Sequence, residues 1–95
     1  MKVSLSGPMS AFKDYNHPAF NAAAEKLRAQ GHEVFNPAEI PVETPYREAL
    51  LICLDWLCTE AEAIALLPGW LESPGAMAEF NTSQALKLPV IWVGA

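Results

Sequence analysis

The stretch 66–79 constrains the fold most, because it joins three different elements with clear boundaries. An apolar run over 63–67 predicts a strand that ends at a Pro-Gly pair. Ser73 is a preferred N-cap residue and Pro74 suits the first helical position, so a helix is predicted from Gly75 to about residue 86. The stretch therefore predicts a strand, a loop and the N-terminus of a helix, in that order.

The first turn of this predicted helix carries little side-chain bulk. Gly75 and Ala76 leave backbone N–H groups without helical partners open to a ligand, and such a turn can hold an anion. Glu79 lies four residues after Gly75 and three after Ala76, so its carboxylate shares their face of the helix. A carboxylate beside an anion-binding turn indicates a candidate active site, although helices without any ligand also begin this way.

The same alternation of strand and helix runs through the chain. Strands are predicted at 2–5, 33–35, 63–67 and 89–93, and helices at 18–30, 45–59 and 75–86. Each connection between strands is long enough for a parallel pair, which predicts right-handed βαβ units. We therefore predict one domain over residues 1–95, an α/β three-layer sandwich of the Rossmann-like or flavodoxin-like kind, whose small parallel sheet has four strands in the order 2-1-3-4.

Ligands of such sheets bind beyond the carboxyl ends of the strands, where the strand order reverses. Two predicted loops, Ser6–Asn16 and Pro68–Gly75, emerge at that edge. Gly7 stands alone in the first loop, without the further glycines of a dinucleotide fingerprint, and no Walker-type loop is present, so we expect no cofactor. His17 and His32 lack a second ligand at metal-binding spacing, so we expect no metal site and assign His17 to the start of a helix.

Composition and charge point to a protein that associates with itself. Hydrophobic residues make up 52% of the chain and charged residues 18%, which predicts that another subunit covers part of the surface. The predicted helix 45–59 is apolar around almost its whole circumference, so one of its sides is expected in a dimer interface. The net charge of −5, without a basic cluster, argues against binding to a nucleic acid polymer.

The cysteines and the hydropathy of the chain help to predict the cellular compartment of the protein. Cys53 and Cys58 lie five residues apart in a predicted helix, so their side chains point to different faces and no disulfide is implied. No signal peptide is visible, and no apolar run approaches the roughly 20 residues that span a bilayer. We therefore expect a cytoplasmic protein that does not bind membranes.

Several motifs together resemble those of a known family. They are Ser6-Gly7-Pro8-Met9-Ser10, the segment Asn16 to Phe20, the segment Gly31 to Glu39, and Leu66 to Trp70 followed by Ser73, Gly75, Ala76 and Glu79. Over nearly its whole length the chain resembles a family of small proteins common in bacteriophages and prophages. That family is similar in turn to nucleoside 2-deoxyribosyltransferases and to 2'-deoxynucleoside 5'-monophosphate N-glycosidases.

The resemblance implies a parallel sheet of four or five strands, a homodimer or larger homo-oligomer, and a small-molecule ligand. That ligand would contain a base and a deoxyribose, with or without a 5'-phosphate. In the better-known relatives a Glu on the helix after the third strand attacks C1' of the sugar, and this position corresponds to Glu79. Ser73 and Gly75 would hold a phosphate or the sugar, and the loop Ser6–Met9 would close over the sugar from the other side.

The second acidic group that this chemistry uses is less well marked. An acid protonates the departing base, and relatives commonly place an Asp on the preceding helix. Here the register set by Trp56 puts Cys53 at that position and Asp55 on a different face of the helix. Asp55 is therefore either the acid or a solvated helix charge, and Cys53 would be a poor proton donor.

The sequence thus predicts cleavage or transfer of the N-glycosidic bond of a 2'-deoxynucleoside or its 5'-monophosphate. Glu79 and Asp55 are the candidate catalytic residues, and the candidate ligand-binding residues are Ser6, Gly7, Pro8, Met9, Asn16, Trp70, Ser73 and Gly75. Trp70 would add ~1–3 kcal/mol as a stacking platform for a base, or it caps the edge of the core. Asn16 is equally a turn residue. The alternative functions are a non-catalytic binder of a nucleotide or nucleotide-derived signal and a structural protein that keeps only the fold.

Overall fold

The computed structural model describes residues 1–9 and 13–94, and within them strands and helices alternate. The strands are β1 (Lys2–Ser6), β2 (Glu33–Phe35), β3 (Ala63–Leu66) and β4 (Val90–Trp92), and the helices are α1 (His17–Ala29), α2 (Tyr46–Thr59) and α3 (Pro74–Ala85). Short 3-10 segments lie at Lys13–Asn16, Pro37–Glu39 and Trp70–Glu72. The predicted elements are all present, and their ends differ from the prediction by at most one residue, because helix and strand ends lack the full set of backbone hydrogen bonds.

The sheet is the predicted one. Its four strands are all parallel and follow the order β2-β1-β3-β4. The register pairs Ser6 with Leu66 between β1 and β3, and Ala65 with Ile91 between β3 and β4. β1 and β3 are the two central strands, and they are buried along almost their whole length because helices cover both faces of a parallel sheet.

The helices lie on opposite faces of the sheet, as right-handed crossovers require for this strand order. The core on one face consists of apolar residues of α1 and of the strands, namely Val3, Leu5, Phe20, Ala23, Ala24, Leu27, Val34, Ala63, Ala65 and Leu67. On the other face α2 packs against α3, and both contact β1. The alternation of side chains along β1 directs Ser4 and Ser6 to that second face. The result is the predicted three-layer arrangement.

The connection between β2 and α2 is held against α1 by side-chain hydrogen bonds. Arg28 forms a bidentate ion pair with Glu39, with Nη–Oε distances of 3.0 and 3.1 Å, and also donates to the carbonyl of Val34 at 2.9 Å. The Asn36 amide donates to Asn21 Oδ1 at 3.0 Å, and its own Oδ1 accepts the N–H of Ala38 at 3.0 Å. These bonds place the proline-rich segment that follows at a defined position above the sheet edge.

The outer side of α2 faces away from the sheet. Leu51 is 65% exposed and Ile52 is 38% exposed, whereas Cys53 and Leu57 on the inner side are buried. The apolar surface that the sequence predicts around α2 is therefore buried on the inner side of the helix and exposed on the outer side. The role of the outer side in a dimer interface stays a prediction. Both cysteines are free thiols. Among the described residues, no helix is both long enough and apolar enough to span a membrane.

Candidate functional site

A cavity of about 350 Å³ opens at the carboxyl end of the sheet, between β1, α2 and α3. Its volume falls within the range of roughly 300–1,000 Å³ that is usual for ligand pockets. Ser6 and Gly7 line it from the end of β1, and Gly75, Ala76 and Glu79 line it from the first turns of α3. The structure therefore brings together two regions that are distant in the sequence, at the edge where parallel sheets bind ligands.

The remaining walls are mostly apolar. Ile40, Pro41 and Val42, from the segment held by Arg28 and Asn36, form one side of the cavity. The inner side of α2 contributes Tyr46, Ala49, Leu50 and Cys53, and α1 and the turn before it contribute Tyr15, His17 and Phe20. The cavity thus offers a largely apolar surface to a ligand, and the buried polar side chains in its described lining are those of Ser6 and Glu79.

Glu79 is the most unusual of these polar groups. Its side chain lies in the cavity wall, yet the residue is only 7% exposed. Burial penalises the charged carboxylate and raises the pKa of Glu79 to about 7. The nearby Ser6 hydroxyl opposes this rise and lowers the pKa of Glu79, but burial is the larger effect. Glu79 is therefore poised to exchange a proton near neutral pH.

Ser6 is the second buried polar group that faces the cavity. It is 1% exposed, and its hydroxyl has no hydrogen-bond partner among the described residues. A buried hydroxyl without a partner costs free energy, so native proteins usually satisfy such groups with water or a ligand. Ser6 and Glu79 together mark the polar end of the cavity as a place where ligand atoms would be bound.

Cys53 lies in the wall beside Glu79. Burial, and to a lesser extent the charge of Glu79, raises the pKa of the Cys53 thiol to about 12. The thiol consequently stays protonated, and it is a weak hydrogen-bond donor rather than a nucleophile. A group with so high a pKa is also a poor acid for a leaving base.

The first turn of α3 retains fewer free donors than the sequence indicates. Ser73 is the N-cap, and its hydroxyl accepts the N–H of Ala76 at 3.2 Å. The N–H of Met77 donates to the carbonyl of Ser73 at 2.9 Å, and Pro74 has no N–H. Gly75 therefore carries the one N–H group of this turn that has no partner among the described residues. The expected anion-binding turn is largely closed by its own cap, because Ser73 satisfies a donor that a ligand would otherwise use.

The other predicted site residues divide into two groups. Met9 lines the cavity together with Ser6, Gly7, Gly75 and Glu79. Pro8 and Asn16 lie outside the lining and bond to each other, since the Asn16 amide donates to the Pro8 carbonyl at 2.9 Å. This bond closes the base of the loop after β1, which is a structural role.

Trp70 and Asp55 do not lie in the cavity lining. Trp70 packs on Phe80 and Trp92, with ring centroids 4.6 and 6.1 Å apart, and borders a different depression beside β4. This position matches the core-edge alternative for Trp70. Asp55 is exposed on α2, which matches the alternative of a solvated helix charge.

Sequence reasoning assigned no ligand role to His17 and did not use the wall formed by residues 40–42. The Tyr46 hydroxyl lies 3.0 Å from the point where a Cβ on Gly75 would stand. The closeness of Tyr46 to Gly75 depends on how α2 and α3 cross, so no local signal could reveal it. The prolines at 37, 41 and 45 were the available hint, since they stiffen the connection that forms the wall.

We expect Gly75→Ala to weaken ligand binding without destabilising the fold. The added methyl group would crowd the Tyr46 hydroxyl in the cavity, whereas alanine is favoured over glycine within a helix by about 0.5–1 kcal/mol. Calorimetric titration with deoxynucleosides and urea unfolding would measure the two effects. The double variant Gly75→Ala/Tyr46→Phe removes the crowded oxygen and should recover binding; persistent loss would show that crowding by Tyr46 is not the cause.

Comparison with known proteins identifies the family but no characterised relative. The comparison with curated proteins found no match, and the comparison with solved structures found none either. A family model described as a domain of unknown function matches residues 1–92, which include every residue that lines the cavity. The chain therefore belongs to the DUF4406 family, a domain of unknown function.

Proposed function

We propose that this protein cleaves or transfers the N-glycosidic bond of a 2'-deoxynucleoside or its 5'-monophosphate. The observation that carries the proposal is Glu79, a carboxyl group that is 7% exposed in the wall of a cavity of about 350 Å³ at the carboxyl end of a parallel sheet. A protein buries an unpaired carboxyl group at a cost, and such groups cluster at functional sites. In the deoxyribosyltransferases that the sequence resembles, the nucleophilic Glu stands at the position that corresponds to Glu79, which supports the proposal.

Glu79 would act on the anomeric carbon of the sugar. The bond from C1' to the base nitrogen breaks through an oxocarbenium-like state, and the base leaves with the bonding electron pair. The ionised carboxylate stabilises this state or captures C1' as an ester, which water or a second base then releases. A pKa of about 7 leaves a substantial fraction of Glu79 ionised at neutral pH. Ser6, whose hydroxyl has no partner in the described part of the chain, supports the proposal as a hydrogen-bonding group for the sugar.

A second candidate function is a non-catalytic binder of a nucleotide or nucleotide-derived signal, of the kind that a phage would use to sequester a host messenger. The observation that favours it is the lack of a second carboxyl group among the described lining residues, since Asp55 is exposed and stands outside the cavity. The Cys53 thiol, with its pKa of about 12, does not replace that acid. Under either function we propose a cytoplasmic homo-oligomer, with the exposed side of α2 in the interface.

The test is a chromatographic assay of free base released from the four common deoxynucleosides and their 5'-monophosphates, with and without a second base as acceptor. We expect release by the parent protein and its loss in Glu79→Gln, whose amide cannot attack C1'. Glu25→Gln, an exposed position on α1, serves as the matched control and should retain the parent rate. Tight binding without release, unchanged in Glu79→Gln, would favour the binder instead.

A further inference from the structure

We propose that a second depression, beside β4, binds the quaternary ammonium group of a small organic cation. The depression has a volume of about 380 Å³, and its lining includes Leu66 and Trp92, the last residues of β3 and β4. Among the described residues, this lining shares no member with the lining of the Glu79 cavity. The depression is therefore a separate site, and its ligand does not depend on the proposed function.

Two indole rings form walls of this depression. Trp70, which follows β3, and Trp92 both line it, and their ring centroids lie 6.1 Å apart with an angle of 42° between the ring planes. The rings therefore present two inclined π-surfaces rather than a single flat one. Phe80 packs against Trp70 with a centroid distance of 4.6 Å and helps to hold that ring in place. Trp92 is 65% exposed, which leaves much of its surface open to a ligand.

Two glycines in the lining leave a recess beside the indole rings. Gly69 has a φ of +88° and Gly94 a φ of +70°, in a region of backbone conformation that residues with a side chain rarely adopt. A Cβ on Gly94 would stand 3.6 Å from the ring of Pro68, so a side chain at this position would project toward another residue of the lining. The turns after β3 and β4 thus favour glycine, and their glycines keep the depression open.

A carboxylate lines the same depression. Glu72 is an exposed residue of the 3-10 segment after β3, and it borders the depression together with Trp70 and Trp92. The face of an indole ring carries the negative part of the aromatic quadrupole and attracts a cation within about 6 Å of the ring centroid. A purely apolar partner would instead bury the Glu72 carboxylate without compensation, at a cost in free energy. The lining therefore favours an organic cation.

A quaternary ammonium group suits this lining better than a primary amine does. A primary ammonium is strongly hydrated and carries three N–H donors that need acceptors when it leaves water. A trimethylammonium group has no N–H donor, so indole faces and one carboxylate can replace its contacts with water. Its methyl groups also gain from contact with the apolar surface of the two rings. The volume of about 380 Å³ lies within the range of small-molecule pockets.

An NMR titration of the isotope-labelled parent protein with choline tests the proposal, because each of the three tryptophans gives its own indole N–H signal. We expect saturable shifts of the Trp70 and Trp92 signals. Trp56 stacks on Phe35 of β2, at the opposite edge of the sheet, and its signal should stay unchanged. The uncharged analogue 3,3-dimethylbutanol, in which carbon replaces the nitrogen of choline, should bind about fivefold more weakly or worse.

Three results of this titration would overturn the proposal. The first is no saturable shift up to about 20 mM choline, since a weaker affinity than this would not indicate a site. The second is equal binding of choline and the uncharged alcohol, which would show that the depression recognises apolar shape alone. The third is binding of a trimethyllysine peptide more than about tenfold tighter than that of choline, which would assign the depression to a protein side chain instead of a small molecule.

Two variants test the rings and the carboxylate separately. Trp92→Leu removes one π-face at an exposed position and should weaken choline binding about fivefold or more. Glu72→Gln should weaken choline binding about threefold and leave the binding of the uncharged alcohol unchanged. Glu25→Gln makes the same change in net charge on the exposed side of α1 and should affect neither ligand. Parent-like choline binding by both Trp92→Leu and Glu72→Gln would overturn the assignment to this depression.

Discussion

Glu79→Gln is expected to raise the free energy of unfolding by up to about 3 kcal/mol at pH 8 and to leave it nearly unchanged at pH 4. The buried Glu79 carboxyl has a pKa of about 7 in the folded protein, against an ordinary value of 4.5. The folded state therefore binds the proton more tightly than the unfolded state does. The contribution of this proton to the free energy of unfolding is fully present below pH 4.5 and is lost as the pH rises through 7. The parent protein therefore loses stability between these two pH values.

Glutamine resembles the protonated carboxyl group in shape but does not ionise, so the variant should lack this loss. Urea unfolding between pH 4 and pH 8.5 measures the effect. Glu25→Gln removes a carboxylate from the exposed side of α1 and should change stability by no more than about 0.5 kcal/mol at any pH. A parent protein and a Glu79→Gln variant with the same pH dependence would contradict the assigned burial of Glu79. The same titration would report the pH at which the proposed nucleophile becomes ionised.

Phe20→Ala is expected to destabilise the protein by about 3–5 kcal/mol. Phe20 is fully buried between α1 and the sheet, where it belongs to the core and also lines the cavity. Its removal forfeits the burial of a large apolar side chain and leaves a void that the neighbouring strands cannot fill. This loss is a large share of the free energy of unfolding, which is typically about 5–15 kcal/mol for a folded domain.

The matched control is Tyr15→Ala, which removes an aromatic ring from the same cavity. Tyr15 is 54% exposed, so its truncation should cost less than about 1 kcal/mol. Urea unfolding of both variants provides the comparison, and a similar cost for the two would show that the floor of the cavity is not part of the core. The pair also separates residues that build the cavity from those that only border it.

The helix starts illustrate what local chemistry can predict. Pro18 and Pro74 both stand in the first turn of a helix, and Ser73 caps α3 through its hydroxyl, as their residue types indicate. The parallel pairing of the strands followed from the lengths of the connections, and the hand of the crossovers followed from the rule for βαβ units, which are properties of any such chain. The candidate site at the carboxyl end of β1 followed for the same reason, and Ser6, Gly7, Met9, Gly75 and Glu79 do line one cavity there.

Trp70 and Ser73 show where that reasoning stops. A tryptophan after a Pro-Gly pair is chemically able to stack on a base. The direction of its ring, however, depends on Phe80 and Trp92, which belong to other elements. Ser73 is a residue type that often contacts phosphate. Its hydroxyl, however, already accepts the backbone N–H of Ala76, which a phosphate would otherwise use. Composition identifies which groups are present, and only their neighbours in space decide which of them remain available.

The sequence by itself determined the α/β alternation, the parallel sheet and the placement of Glu79 one turn into the helix after β3, because propensity, capping and connection length act over a few residues. The tertiary structure alone decided that Glu79 is buried with a pKa of about 7, that the Ser6 hydroxyl has no hydrogen-bond partner among the described residues, and that residues 40–42 and Tyr46 close the cavity. These properties depend on how much contact with solvent each atom loses when the chain folds. That loss is set by elements far apart in the chain, which meet only when the sheet and its helices are packed together.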